Sequence, residues 1–214
     1  MNAIIIEILI YLSSFTFIIP LAAGIIYFRR LDNQMKLLAC LMAVSGLSET
    51  TSFLISEFSS KHYFWVYHIY FPVEFTFFAF IFSAWIKKRL YSRAVKYCIP
   101  LIWVFALYNS LFIQKLDELN SNTLTLGLII YTAMTLYVLY QIMTEDLGQI
   151  LKNHIFWVST GLLIFSAGDL AYFAFNPLVK EYYLVAIWEI HAIFNMSTYI
   201  FYFIGIICQG RKWE

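Results

Sequence analysis

Residues 63–86 read YFWVYHIYFPVEFTFFAFIFSAWI, with no Lys or Arg and a single acid, Glu74, before the chain turns basic at Lys87, Lys88 and Arg89. A helix crosses the hydrocarbon core of a bilayer with about 20 mainly apolar residues. Inside lipid a backbone must satisfy its own hydrogen bonds, which a helix does and an open strand does not. This stretch therefore predicts a spanning helix.

Working outward, six more stretches have the same character: 3–28, 37–57, 97–113, 123–143, 155–175 and 183–207. The breaks between them are short and polar, and none has room for a second domain. The predicted fold is an all-α bundle of seven transmembrane helices forming one domain over residues 1–214. Composition agrees. Of the residues, 62% are hydrophobic, 20% aromatic and 13% charged, whereas soluble domains carry about 25% charged residues. A formal net charge of +1 offers no basic face for nucleic acid. The first apolar run lacks the basic n-region and small-residue cleavage pattern of a signal peptide, so it is expected to stay as a helix.

Orientation follows from the Lys/Arg bias of the loops. Arg29, Arg30, Lys36, Lys87, Lys88, Arg89, Arg93, Lys96, Lys152, Arg211 and Lys212 fall on one side, and only Lys61, Lys115 and Lys180 on the other. That split predicts an outside N-terminus and a cytoplasmic C-terminus in a bacterial cytoplasmic membrane. Tyr63, Trp65, Tyr67, Tyr182 and Tyr183 then form an outer aromatic belt. Cys40, Cys98 and Cys208 lie toward the cytoplasmic ends, where thiols stay reduced, and they read as small packing residues.

The third and seventh stretches align at an offset of 123, pairing Trp65 with Trp188, His68 with His191 and Phe71 with Phe194. The second and sixth align at 120, pairing Glu49 with Asp169 and Phe53 with Phe173. The first and fifth share little beyond length. The pattern predicts a 3+1+3 internal repeat, an architecture similar to the parallel repeats of SWEET sugar transporters. Those carriers keep a Pro-Gln pair in the first helix of each repeat, whereas here Leu21 follows Pro20 and the fifth stretch has no proline.

Ionisable residues cost about 2.5–3.5 kcal/mol each at the centre of a spanning helix. This chain nevertheless holds Glu49, His68, Glu74, Asp169, Glu189 and His191 within its apolar stretches. Counted from the helix ends, they gather in the outer half of the bilayer. Trp188, His191, Asn195, Thr198 and Tyr202 recur at steps of three and four and so share a helix face. Trp65, His68, Pro72, Thr76 and Ala79 make the corresponding face of the third helix. Glu49 sits in SGLSETTS (45–52) and Asp169 in FSAGDL (165–170), both small-residue runs suited to close helix packing.

The expected site is a polar pocket lined by Glu49, His68, Asp169, His191 and Asn195 and walled by Trp65, Trp188, Tyr199 and Tyr202. Each residue also has a plainer reading. The carboxylates can lock helices together, the histidines can be packing residues with satisfied nitrogens, and Glu189 and Glu7 lie near water. Glu74 stands about 120° from His68 around its helix and is expected to serve a different contact.

A retinal protein needs a buried Schiff-base lysine, and every lysine here is in a loop or at a helix end. A zinc hydrolase wants about three protein ligands, and no His-x-x-x-His spacing is present. No metal or other cofactor is expected.

The run GLLIFSAGD, Gly161 to Asp169, resembles the G-x-L-x-F-x-x-S-D segment of the YhhN-type lysoplasmalogenases, which cleave ether lysolipids. The resemblance spans one helix of seven, and it implies a hydrolytic role for Asp169, joined by Glu49 and His191. Glu49 stands where that family shows a Gly-Asp pair. Three readings follow for function. The leading one is binding or transport of a small polar or amphiphilic ligand. The others are lipid hydrolysis, and a sensor or accessory subunit that needs a homo-oligomer or a cytoplasmic partner protein. Whether the chain is an enzyme is left open by its residues.

Overall fold

The computed structural model describes residues 9, 11–58, 62–145, 147–175 and 184–211, with side chains at 147, 148, 172, 174, 175 and 184–189 outside the description. The described chain is all-helical. The helices are α1 (Ile18–Tyr27), α2 (Asn33–Phe58), α3 (Trp65–Trp85), α4 (Arg89–Phe112), α5 (Ser121–Glu145), α6 (His154–Phe175) and α7 (Leu184–Gly210). A helical segment at 11–15 precedes α1, and 3-10 turns follow it at Phe28–Arg30 and precede α6 at Leu147–Lys152. Among the described residues seven helical segments are long and apolar enough to cross a membrane. The chain has the build of an integral membrane protein.

Local sequence sets the helix ends and bends. Pro20 has no N–H to offer the Thr16 carbonyl, and its ring crowds that carbonyl. The ladder breaks there into a turn, in which Ile19 N–H donates to Thr16 O at 3.1 Å and Leu21 N–H to Phe17 O at 3.1 Å. Between α3 and α4, Ile86 and Lys88 are extended, and Ser92 Oγ donates back to the Ser83 carbonyl at 2.5 Å. Asn153 caps α6, its side-chain oxygen accepting from the Ile155 N–H at 2.9 Å.

Two helices start at least a full turn earlier than the hydrophobic pattern predicts. α2 begins at Asn33 rather than 37, and α4 at Arg89 rather than 97. Charged residues end an apolar stretch without ending a helix, because Lys and Arg are good helix formers wherever their heads reach water.

The described chain divides into two compact units. One holds residues 1–32 and 128–214, and the other residues 33–127. In the first unit α7 packs along α6 and α1 packs against α7. In the second, α3 packs against both α2 and α4. α5 contributes its residues through Gly127 to the second unit and those from Leu128 to the first.

Small residues bring the helices close. A Cβ on Gly168 would stand 2.2 Å from the Phe194 ring, and one on Gly161 would stand 2.8 Å from Phe201 Cβ. Thr198 Oγ uses that proximity to reach the Gly161 carbonyl at 3.0 Å. In the second unit Gly127 does the same for the Phe71 ring, whose nearest atom would be 2.1 Å from a Cβ. Without hydrophobic drive between helices in lipid, such close contact is a main source of cohesion.

Candidate functional site

In the first unit the α6–α7 seam presents Asp169 to His191. Asp169 Oδ1 lies 2.7 Å from His191 Nδ1. A carboxylate oxygen accepts, so Nδ1 is the nitrogen that donates and Nε2 is turned away from the acid. The Asp169 side chain is 7% exposed and that of His191 31%. The acid is thus the buried partner, and the imidazole is the part that meets its surroundings. The Phe165 ring flanks His191 with centroids 6.1 Å apart.

One turn along α7, Asn195 Nδ2 donates to Ser13 Oγ at 3.1 Å, tying in the segment before α1. Thr198 follows, then the buried Tyr202, whose ring meets Tyr199 edge-on at 6.3 Å. Thr132 Oγ and Ser166 Oγ, 3.1 Å apart, add a polar contact between α5 and α6.

The polar face does not stop at Tyr202. Gln209, two turns further at the same helical phase, holds the other end of the unit. Its Nε2 donates to Asp32 Oδ2 at 2.6 Å, and its Oε1 accepts from the Asp32 N–H at 3.1 Å. These two bonds fix which way the amide faces. The same Nε2 lies 3.2 Å from His154 Nε2, which must therefore accept and so carry no proton. His154 Nε2 is also 3.5 Å from Asp32 Oδ2. Beside this group Arg211 Nε donates to the Tyr27 hydroxyl at 3.3 Å. The apolar-run reading missed Asp32, His154 and Gln209. Gln209 is the member that helical phase could have found, as the continuation of His191, Asn195, Thr198 and Tyr202.

The second unit holds the other expected site residues, and it employs them differently. Both nitrogens of His68 are engaged, Nε2 with the Glu118 carbonyl at 3.0 Å and Nδ1 with Ser110 Oγ at 2.6 Å. A carbonyl only accepts, so Nε2 carries the proton and the Ser110 hydroxyl donates to Nδ1. His68 thereby fastens the loop after α4. A carboxamide cluster holds the same loop: buried Asn109 donates to Gln114 Oε1 and to Asn120 Oδ1, each at 2.8 Å, and accepts from Asn122 Nδ2 at 3.1 Å.

Glu49 serves the α2–α3 seam. Burial and, secondarily, the Glu49 carboxylate hold the Tyr63 phenol above its ordinary value. Tyr63, Tyr67, Tyr70 and Glu74 recur at helical spacing. Ser45 Oγ meets the Tyr70 hydroxyl at 2.6 Å. By helical phase Glu74 lies on the tyrosine side of α3.

The two histidines aligned by the proposed repeat have different partners: a carboxylate for His191, a serine and a backbone carbonyl for His68. Trp65 is 40% exposed. The side chains of Trp188 and Glu189, and the whole of Glu7, Tyr182 and Tyr183, lie outside the described residues. Among the described residues no group of three or more His, Cys, Asp or Glu is placed to hold a metal ion. No protein-family model, curated protein or solved structure matches the chain.

Proposed function

We propose that this integral membrane protein binds a small polar or amphiphilic ligand at the Asp169–His191 pair and carries it across the bilayer with a linked proton. The observation that carries the reading is the pair itself. A carboxylate and an imidazole 2.7 Å apart form a net-neutral pair with the shared proton bound and carry one negative charge without it, so proton loading changes the charge that a ligand meets there. Intramembrane acids and histidines are expensive to keep, and they recur along substrate and proton pathways. The polar face of α7 extends from this pair through Asn195, Thr198 and Tyr202. In this proposal the N-terminus is outside and the pair lies in the outer half of the membrane, as the basic loops predict.

The test uses proteoliposomes loaded with a pH-sensitive dye and offered a panel of amino acids, sugars, polyamines and lysolipids. A proton-linked carrier gives a saturable internal pH change with one class of solute. In Asp169→Asn that pH change is lost while solute exchange continues. No solute-dependent pH change with any class removes the reading.

A second reading has its own observation. Asp169 ends the run that resembles the lysoplasmalogenase segment, and it orients a histidine as a general-base pair requires. Lysolipid turnover that vanishes in Asp169→Asn, with no solute-linked proton flux, establishes hydrolysis instead.

A further inference from the structure

The charged residues that begin α4 lie on an exposed side of the helix. Arg89, Arg93, Lys96, Pro100, Trp103, Leu107 and Leu111 follow one another at steps of three and four, which keeps them on one stripe of the helix. All seven are exposed. The stripe changes character once along its length, from three cations to four residues without charge. Lys87 and Lys88 stand exposed just before it, and Lys88 Nζ sits 4.6 Å above the Tyr91 ring. The sequence has no Asp or Glu between Glu74 and Asp117.

Dimensions fit a lipid. Arg89 to Lys96 rises about 10 Å along the helix, and Pro100 to Leu111 about 16 Å. The second figure is close to the thickness of one hydrocarbon leaflet, about 15 Å. Trp103 forms a fixed wall, because its Nε1 donates to Thr76 Oγ on α3 at 3.0 Å. A guanidinium offers paired N–H donors matched to phosphate oxygens.

We infer that this face of α4 binds an anionic glycerophospholipid, with its phosphate on Arg89, Arg93 and Lys96 and an acyl chain along Pro100, Trp103 and Leu107. Charge complementarity selects the occupant. A zwitterionic lipid brings its own cation to the same place, and an acidic protein segment would leave the apolar part of the stripe uncovered.

The full-length protein is reconstituted in phosphatidylcholine with increasing phosphatidylglycerol, one of the two lipids carrying bromine midway along its acyl chains. Bromine quenches nearby tryptophan, and the difference between wild type and Trp103→Phe isolates the Trp103 signal. At equal mole fraction, brominated phosphatidylglycerol should quench Trp103 several-fold more effectively than brominated phosphatidylcholine. The preference should fall about fivefold for each of Arg89→Gln and Arg93→Gln, and it should shrink in wild type as salt is raised. The salt series keeps the test decisive if the variants fail to reconstitute. Equal quenching by the two lipids in wild type overturns the inference, as does a preference untouched by both salt and substitution.

Discussion

Asp169 Oδ1 and His191 Nδ1 stand 2.7 Å apart across the α6–α7 seam, with the acid buried and the imidazole one-third exposed. Gly168, the residue before the acid, is what lets the Phe194 ring lie against α6 at that level. A small residue and a charged one therefore cooperate: close backbone approach brings the carboxylate within reach of the next helix.

The two halves of that bond can be separated. Asp169→Asn keeps an oxygen to accept from Nδ1–H, whereas Asp169→Leu leaves the imidazole N–H without its acceptor. The leucine variant should lose about 1–3 kcal/mol of stability, the usual range for stranding a buried polar partner, and the asparagine variant distinctly less. Unfolding in mixed detergent measures both. Equal losses in the two variants would show that the acid's volume matters and its hydrogen bond does not.

Much of this fold was legible in the sequence because lipid leaves a chain few options. Each long apolar stretch became a helix. α4 begins eight residues before the apolar stretch because the charges of Arg89, Arg93 and Lys96 interrupt hydropathy without interrupting the helix. The face of α7 was visible as far as Tyr202. Gln209 continues that face at the same helical phase, but the partners it meets there, Asp32 and His154, are distant in sequence and lie at helix ends, so no pattern along α7 announces them. His68 illustrates the same limit. One of its two partners is a backbone carbonyl, which no side-chain pattern records.

His68 should therefore matter to the loop after α4. His68→Ala removes the bonds to Glu118 and Ser110, so trypsin should cut after Lys115 several-fold faster than in wild type. Cleavage within residues 87–93 should be unchanged. Identical rates at Lys115 would contradict the fastening role.

At the Gln209 end, the amide orientation requires His154 to carry its proton on Nδ1. Imidazole nitrogen resonances of labelled protein should report that tautomer. Gln209→Glu replaces the donor 3.2 Å away with an acceptor, which should move the His154 proton from Nδ1 to Nε2. A wild-type resonance from a protonated Nε2 would refute the assignment.

The proposed function rests on Asp169 and His191 touching the ligand. The most direct measurement is saturable thermal stabilisation of the purified protein by the same panel of small polar and lysolipid compounds, compared among wild type, Asp169→Asn and His191→Gln. The expected result is one chemical class that stabilises wild type, loses most of its effect in His191→Gln and keeps a reduced effect in Asp169→Asn, which still exchanges solute, while both variants remain folded without ligand. A class that stabilises all three proteins equally, or none that stabilises wild type, would contradict the account.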